Sequence, residues 1–319
     1  MRIRPYQTGD EGPQARVYNA AAGTLPAFKP ATAEEIARRY RAGDADPLGR
    51  FYAVDEATGG VVGYALFGPN GRVSYPWCLP GFEAARTPLL DAALGAMTGV
   101  GLTEAWAAYR ADWAPVLDFF GGRGFTTTRE MVNFVAATDD LPASAAPLPG
   151  GLALGPLGRD DLPRLAGLGR GIFAADDPER LAAAYWENPF FGPECLFAVR
   201  DGRGAVVGAA VAIASTAYAD PAKLDAAMPC FRLGVLGTER ERHKRVNGLV
   251  SCLFDDGAVG EALLAEAARR FRAAGLTHAA AQAPSDRPEL LAFYGRHFER
   301  QGAFPILSLP LTDASARPS

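Results

Sequence analysis

Residues 51–65 read FYAVDEATGGVVGYA and residues 196–210 read LFAVRDGRGAVVGAA; superposed, they set Val54 on Val199 and Gly63 on Gly208 at an offset of 145. Each is a β-branched and aromatic run, a glycine turn (Gly59-Gly60 in one, Gly202 and Gly204 in the other) and a second such run, the pattern of a β-hairpin. Further along, Leu89-Leu90 with an end at Gly101-Leu102-Thr103 matches Leu263-Leu264 with an end at Gly275-Leu276-Thr277, now at an offset of 174. The second copy repeats Val259, Leu263, Leu264, Ala267 and Phe271 at helical spacing and puts Gly275 where a left-handed helix cap belongs. The change of offset places 29 extra residues in the second half, within about 214–250. The same 174 carries Asp112 onto Asp286 and Phe120 onto Tyr294, and an offset of 151 aligns Pro5 and Asp10 with Pro156 and Asp161.

Each half therefore reads as strand, helical segment, hairpin, strand, long helix, strand, helix, strand, an α/β pattern. Between them ATDDLPASAAPLPGG has no periodicity and reads as a linker. The expected domains are 1–140 and 152–311, joined by a linker at 141–151 and followed by a polar tail at 312–319.

The 319 residues are about twice one domain, and 49% hydrophobic with 21% charged residues excludes a disordered chain. A formal charge of -4 lacks the positive field of a nucleic-acid binder. No apolar run approaches the roughly 20 residues of a membrane span, and the start MRIRPYQTGDEGPQ turns polar too soon for a signal peptide, so a cytoplasmic protein is expected. Cys78, Cys195, Cys230 and Cys252 are far apart, as are His243, His278 and His297; neither disulfides nor a metal site is indicated.

The duplicated pattern resembles the GNAT acyltransferase superfamily in tandem, over almost the whole chain. The best local piece is Phe119-Phe120-Gly-Gly-Arg-Gly124-Phe125, similar to the element that closes the last helix of such domains; Phe293-Tyr294 before Gly302 is a looser copy. The resemblance implies two mixed, mostly antiparallel sheets flanked by helices, each splayed between its fourth and fifth strands. It also implies acyl-CoA, with acetyl-CoA as the simplest donor, lying in the gap with its pyrophosphate at the start of the following helix. Unpaired N–H groups and the helix dipole favour an anion there. In the second half that place is Asp255-Asp256-Gly257-Ala258-Val259-Gly260, with Asp where the superfamily has Gln or Arg; in the first half Pro80-Gly81 through Arg86-Thr87-Pro88 keeps little of the glycine pattern. The acyl-CoA site is thus expected in the second half, the first being structural.

The expected cofactor-binding residues are Leu253, Phe254, Asp256, Gly257, Ala258, Val259, Gly260 and Glu261. Residues 257–261 read equally as an anion loop or as a helix start capped by Asp255 or Asp256. Arg242, Lys244 and Arg245 read as a grip on the nucleotide phosphates or as a solvated turn. Tyr294 matches the superfamily tyrosine that protonates the departing thiolate, or is a packing residue; Glu239 and Asp286 are the bases on offer. Trp186, Tyr185, Phe190 and Phe191 border an acceptor pocket by the same resemblance, or plug the sheet. The reading is an N-acyltransferase acting on a small-molecule or peptide amine, against a catalytically silent duplicate that binds a CoA-like ligand or a protein partner. A doubly wound nucleotide-binding fold is disfavoured because no G-x-G-x-x-G follows a strand at the start of either half.

Overall fold

The computed structural model describes residues 1–311 except 27, 29, 42–48, 145–147, 149, 171, 173–176, 188–190 and 215–247. It divides into two units: residues 1–129 with 304–311, and the described residues of 130–303.

In unit 1, β1 (Arg2–Pro5), α1 (Glu11–Ala22), α2 (Ala33–Arg41), β2 (Arg50–Val54), β3 (Val61–Leu66), β4 (Trp77–Cys78), α3 (Arg86–Gly99), β5 (Glu104–Ala108) and α4 (Ala114–Gly122) follow in chain order. Strands β1 to β4 pair in sequence, all antiparallel. The predicted hairpin is β2–β3, its turn closed by Asp55 N–H to the Gly60 carbonyl (2.9 Å) with Gly59 at φ 68°. In unit 2 come β6 (Thr126–Ala137, from Glu130 onward), β7 (Ala153–Pro156), α5 (Leu162–Leu168), α6 (Pro178–Leu181), β8 (Leu196–Arg200), β9 (Val206–Ala214), β10 (Gly248–Phe254), α7 (Gly257–Ala273), β11 (His278–Pro284) and α8 (Pro288–His297). Its sheet runs β7-β8-β9-β10-β11-β6, antiparallel except for β10 beside β11. Helix α7 buries Val259, Leu263, Leu264, Ala267 and Phe271, as its spacing requires, and Gly275 beyond its end has φ 70°.

The final strand, β12 (Glu299–Pro310), pairs through Ile306–Pro310 with β5 of unit 1, and Leu307 lies in that unit's core. Conversely Met131–Ala137 of β6 pairs with β11 of unit 2, burying Val132, Phe134 and Ala136 in the core there. The closing strand of each half of the sequence thus pairs with a strand of the other half. Where the sequence puts the break at 141–151, the structure divides at 129–130, and 304–311 leaves the second half for the first. Alternation identifies a strand, but its partner is chosen by register and core, which lie outside the strand's own sequence.

The repeat recurs in packing. A Cβ at Gly63 would lie 3.1 Å from Leu89 of α3, and one at Gly208 2.4 Å from Val259 and 3.3 Å from Leu263 of α7, so each helix rests on bare backbone of the third strand of its half. Asp10 accepts Gln7 N–H (2.7 Å) and a bidentate Arg4; Asp161, 151 residues on, accepts Gly158 N–H (2.7 Å) and a bidentate Arg200.

Gly208→Ala should cost about 1–3 kcal/mol in urea unfolding, through overpacking against α7, whereas Gly155→Ala, whose Cβ would meet nothing within 4 Å, should stay within about 0.5 kcal/mol. The Arg200 hydrogen bond holds the Asp161 carboxyl below its ordinary value of 3.8. A folded pKa below the unfolded one means that this stabilisation is present above the unfolded value and is lost as pH falls through the folded one. Stability followed from about pH 5 to pH 3 should therefore fall less steeply in Asp161→Asn than in the parent.

Candidate functional site

Strand β10 stays paired with β9 over its whole length, Gly248 to Phe254, but with β11 only from Gly248–Val250 to Ala279–Ala281. Beyond that β11 continues with β6 through Pro284. Two parallel strands therefore part, and Ser251–Phe254 and Gln282–Pro284 bound a wedge inside unit 2. Backbone groups alternate along a strand, so Cys252 turns its N–H into the wedge, as Val250 turns its own toward β11.

That N–H finds a side chain. Cys252 N–H donates to the Tyr294 hydroxyl at 2.8 Å. Tyr294 is 0% exposed, on the inner face of α8 with Leu290 and Phe293, and its ring packs among Phe293 (5.3 Å), Phe298 (5.5 Å) and Phe134 (5.8 Å). Burial, reinforced by Cys252, raises its pKa well above 10, against weaker opposing hydrogen bonds from Cys252 N–H and Ser251. The phenol is thus neutral and holds a proton in the wedge.

At the wedge's outer end begins α7. Asp256 caps it, accepting Ala258 N–H at 2.7 Å, and its carbonyl takes Gly260 N–H at 3.1 Å. The Phe254 ring lies on Gly260, within 2.7 Å of where a Cβ would stand. Leu253 and Val259 are buried. Glu261 binds Arg296 and His297, each at 2.9 Å; burial opposes its charge, but these partners hold its carboxyl below the ordinary range. Of the two readings of 257–261, the helix start capped by a carboxylate is present, and Asp256 makes the cap. Asp255 instead lies 3.8 Å from Arg164 of α5.

Asp286 is exposed in the turn between β11 and α8, while Tyr294 is interior. Glu239, Arg242, Lys244, Arg245 and Phe190 lie outside the described residues. Tyr185 is buried, its ring 6.4 Å from that of Phe191, and Trp186 packs against the same core. Among the described residues no group of three or more His, Cys, Asp or Glu could hold a metal, and no helix is long and apolar enough to cross a membrane.

Sequence reading missed one feature. On the sheet face opposite α7, Ser251 of β10, Gln282 of β11 and Asn133 of β6 form a crosswise row at the step where β10 and β11 part. Gln282 Nε2 donates to Asn133 Oδ1 at 3.1 Å. The one polar side chain inside HAAAQAP was the available signal, but Asn133 belongs to the first half of the sequence and could not be joined to it.

In unit 1 the counterpart of this wedge is filled with rings. Tyr109, just past β5, takes Tyr75 N–H on its hydroxyl at 2.5 Å. Tyr75, Trp77, Trp113 and Phe120 are buried, with Tyr109 stacked on Trp113 at 6.0 Å and on Phe120 at 5.9 Å. Helix α3 begins with Arg86 over the Tyr75 ring at 5.5 Å.

Because Tyr294→Phe leaves a buried N–H without an acceptor, it should lower stability by about 1–3 kcal/mol. The check is urea unfolding of the whole chain beside Phe120→Tyr.

No family model and no curated protein sequence matches this chain. Solved structures do. A GCN5-related N-acetyltransferase from Sphaerobacter thermophilus is 15% identical at a TM-score of 0.65, over 100% of this chain and 96% of that one. A tandem GNAT protein from the clavulanic acid biosynthesis pathway is 13% identical at 0.57, over 100% and 99%. A GCN5-related N-acetyltransferase from Kribbella flavida is 14% identical at 0.51, over 98% and 72%.

Proposed function

We propose that this chain, which carries the GNAT fold in two tandem copies, is an acyl-CoA-dependent N-acyltransferase with its site in unit 2, acting in the cytoplasm on a small-molecule or peptide amine. Acetyl-CoA is the simplest donor. The observation that carries the reading is the wedge between β10 and β11, where a backbone N–H and a proton-bearing phenol face one another at 2.8 Å. The wedge suits an extended, narrow thioester arm: β11 lines it with the small side chains of Ala281 and Ala283, and the free edge of β10 offers backbone groups. The pyrophosphate end fits less well, since the Asp256 carboxylate occupies the first turn of α7. Arg242, Lys244 and Arg245 are proposed to offset that charge.

The donor supplies an activated acyl group. Cys252 N–H would stabilise negative charge on the acyl oxygen once released by Tyr294, and the Tyr294 hydroxyl would give its proton to the departing sulfur. The attacking amine must shed a proton, for which Glu239 or Asp286 is proposed, directly or through water.

The Asp256 cap and the complete enclosure of Tyr294 also favour a second reading, a silent duplicate that binds a CoA-like ligand or a protein partner. Calorimetric titration of the whole chain with acetyl-CoA, followed by thiol release in the presence of amines, separates the two. The transferase reading expects binding and turnover, with Tyr294→Phe keeping its affinity and losing roughly 10²–10⁴-fold in turnover. Binding without turnover supports the silent reading, and no binding at millimolar ligand overturns both.

A further inference from the structure

Three rows of side chains cross β10, β11 and β6 on the face of the unit 2 sheet that α5 covers. The first is Leu249, Ala280 and Val135; the third, divided by the wedge, has Leu253 on one side and Pro284 with Met131 on the other. Both are apolar, as a packed face should be. The middle row is Ser251, Gln282 and Asn133. Polar groups set into such a face carry a desolvation cost that a core position gives no reason to bear.

Asn133 is only 6% exposed, and among the described residues its side chain bonds to Gln282 alone. The pair uses one NH2 and one carbonyl on each other. Among the described residues the remaining two groups, the Gln282 carbonyl and the Asn133 NH2, make no hydrogen bond to protein, and neither is sealed from solvent. Were both amides turned over, one carbonyl and one NH2 would still be left. The Gln282–Asn133 pair thus offers one further acceptor group and one further donor group, without charge, between two apolar rows. Ser251 adjoins Cys252, whose N–H holds the Tyr294 hydroxyl, so the pair stands at the apex of the wedge, where β10 and β11 part.

A carboxamide or peptide group presents the matching donor and acceptor. A carboxylate presents acceptors only, setting a negative charge against the Gln282 carbonyl and leaving its own hydration unreplaced. We propose that Gln282 and Asn133 form an acceptor subsite that positions an amine through a neighbouring uncharged amide. The substrate class is an amino-acid amide or the first residue of a peptide, carrying an apolar side chain, in preference to a free amino acid. The proposal rests on the transferase reading above, and both residues act by positioning.

The test compares leucine amide with leucine on the whole chain, by thiol release with acetyl-CoA and, independently of turnover, by calorimetric titration. The parent should favour leucine amide by about 10-fold or more in kcat/KM, the effect of one hydrogen bond at a partly buried site. Gln282→Met and Asn133→Leu should bring that ratio to within about 2-fold of unity while leaving KM for acetyl-CoA unchanged. If Asn133→Leu fails to fold, Gln282→Met, at a half-buried position, carries the comparison alone. A parent indifferent to the amide, a preference that survives in the variants, or an equal rise of both KM values would overturn the subsite. If acetyl-CoA binds but neither amine is acylated, the transferase reading fails and titration decides the subsite. Tighter binding of leucine amide to the parent than to Gln282→Met then supports it; equal binding rejects it.

Discussion

A backbone N–H that leaves its sheet inside a protein must find another acceptor, since a buried orphan costs as much as several ordinary contacts supply. In unit 2 the parting of β10 from β11 creates that demand at Cys252, and Tyr294 meets it. Much of the surrounding structure serves this bond: α8 is placed so that its inner face reaches the wedge, and Phe134, Phe293 and Phe298 fix the ring. Unit 1 meets the same demand at Tyr75 with a tyrosine from another place in its chain, Tyr109. The constraint belongs to the splayed sheet; the residue that answers it does not. One answer leaves a proton-bearing hydroxyl beside a polar row, and the other ends in a stack of rings.

The helix that follows each fourth strand is held by a second constraint, the absence of a side chain. Gly63 and Gly208 let Leu89 and Leu263 come down onto the sheet, and Gly260 accepts the face of the Phe254 ring. These close approaches fix where α7 begins, and hence how far its first turn stands from the wedge.

Both hairpins, the amphipathic face of α7 and the Gly275 stop are legible in the sequence because each is encoded within a few residues by period, turn chemistry or cap. Tyr294 stands out in the sequence because the chain contains its own control, Phe120, at a fixed spacing. Its hydrogen bond was not legible, because the partner is backbone and backbone carries no sequence signal. The two readings of Asp256 are equally legible for a related reason: a carboxylate before two glycines suits a cap and an anion loop alike. Asn133 and Gln282 were invisible as a pair, being 149 residues apart and assigned by the repeat to different halves. Alternation in MVNFVAA says that Asn133 opposes Val132 and Phe134 across a strand, and nothing about whose strand it is.

The exchange of β6 and the end of β12 between the two halves bears on how the protein is made. As the chain leaves the ribosome, β6 emerges before every other strand of unit 2 and has no sheet to join. In the finished structure the strand paired with β5 is residues 306–310, which are made last. Unpaired edges are the templates for wrong pairing, so a chain whose β5 waited for that strand would carry such an edge through the synthesis of unit 2. The same exchange binds the two copies as inheritance: neither half can be discarded or exchanged for another without taking a strand from its neighbour. A first half without a catalytic role would then be retained for a mechanical reason, as the source of the strand that carries Asn133.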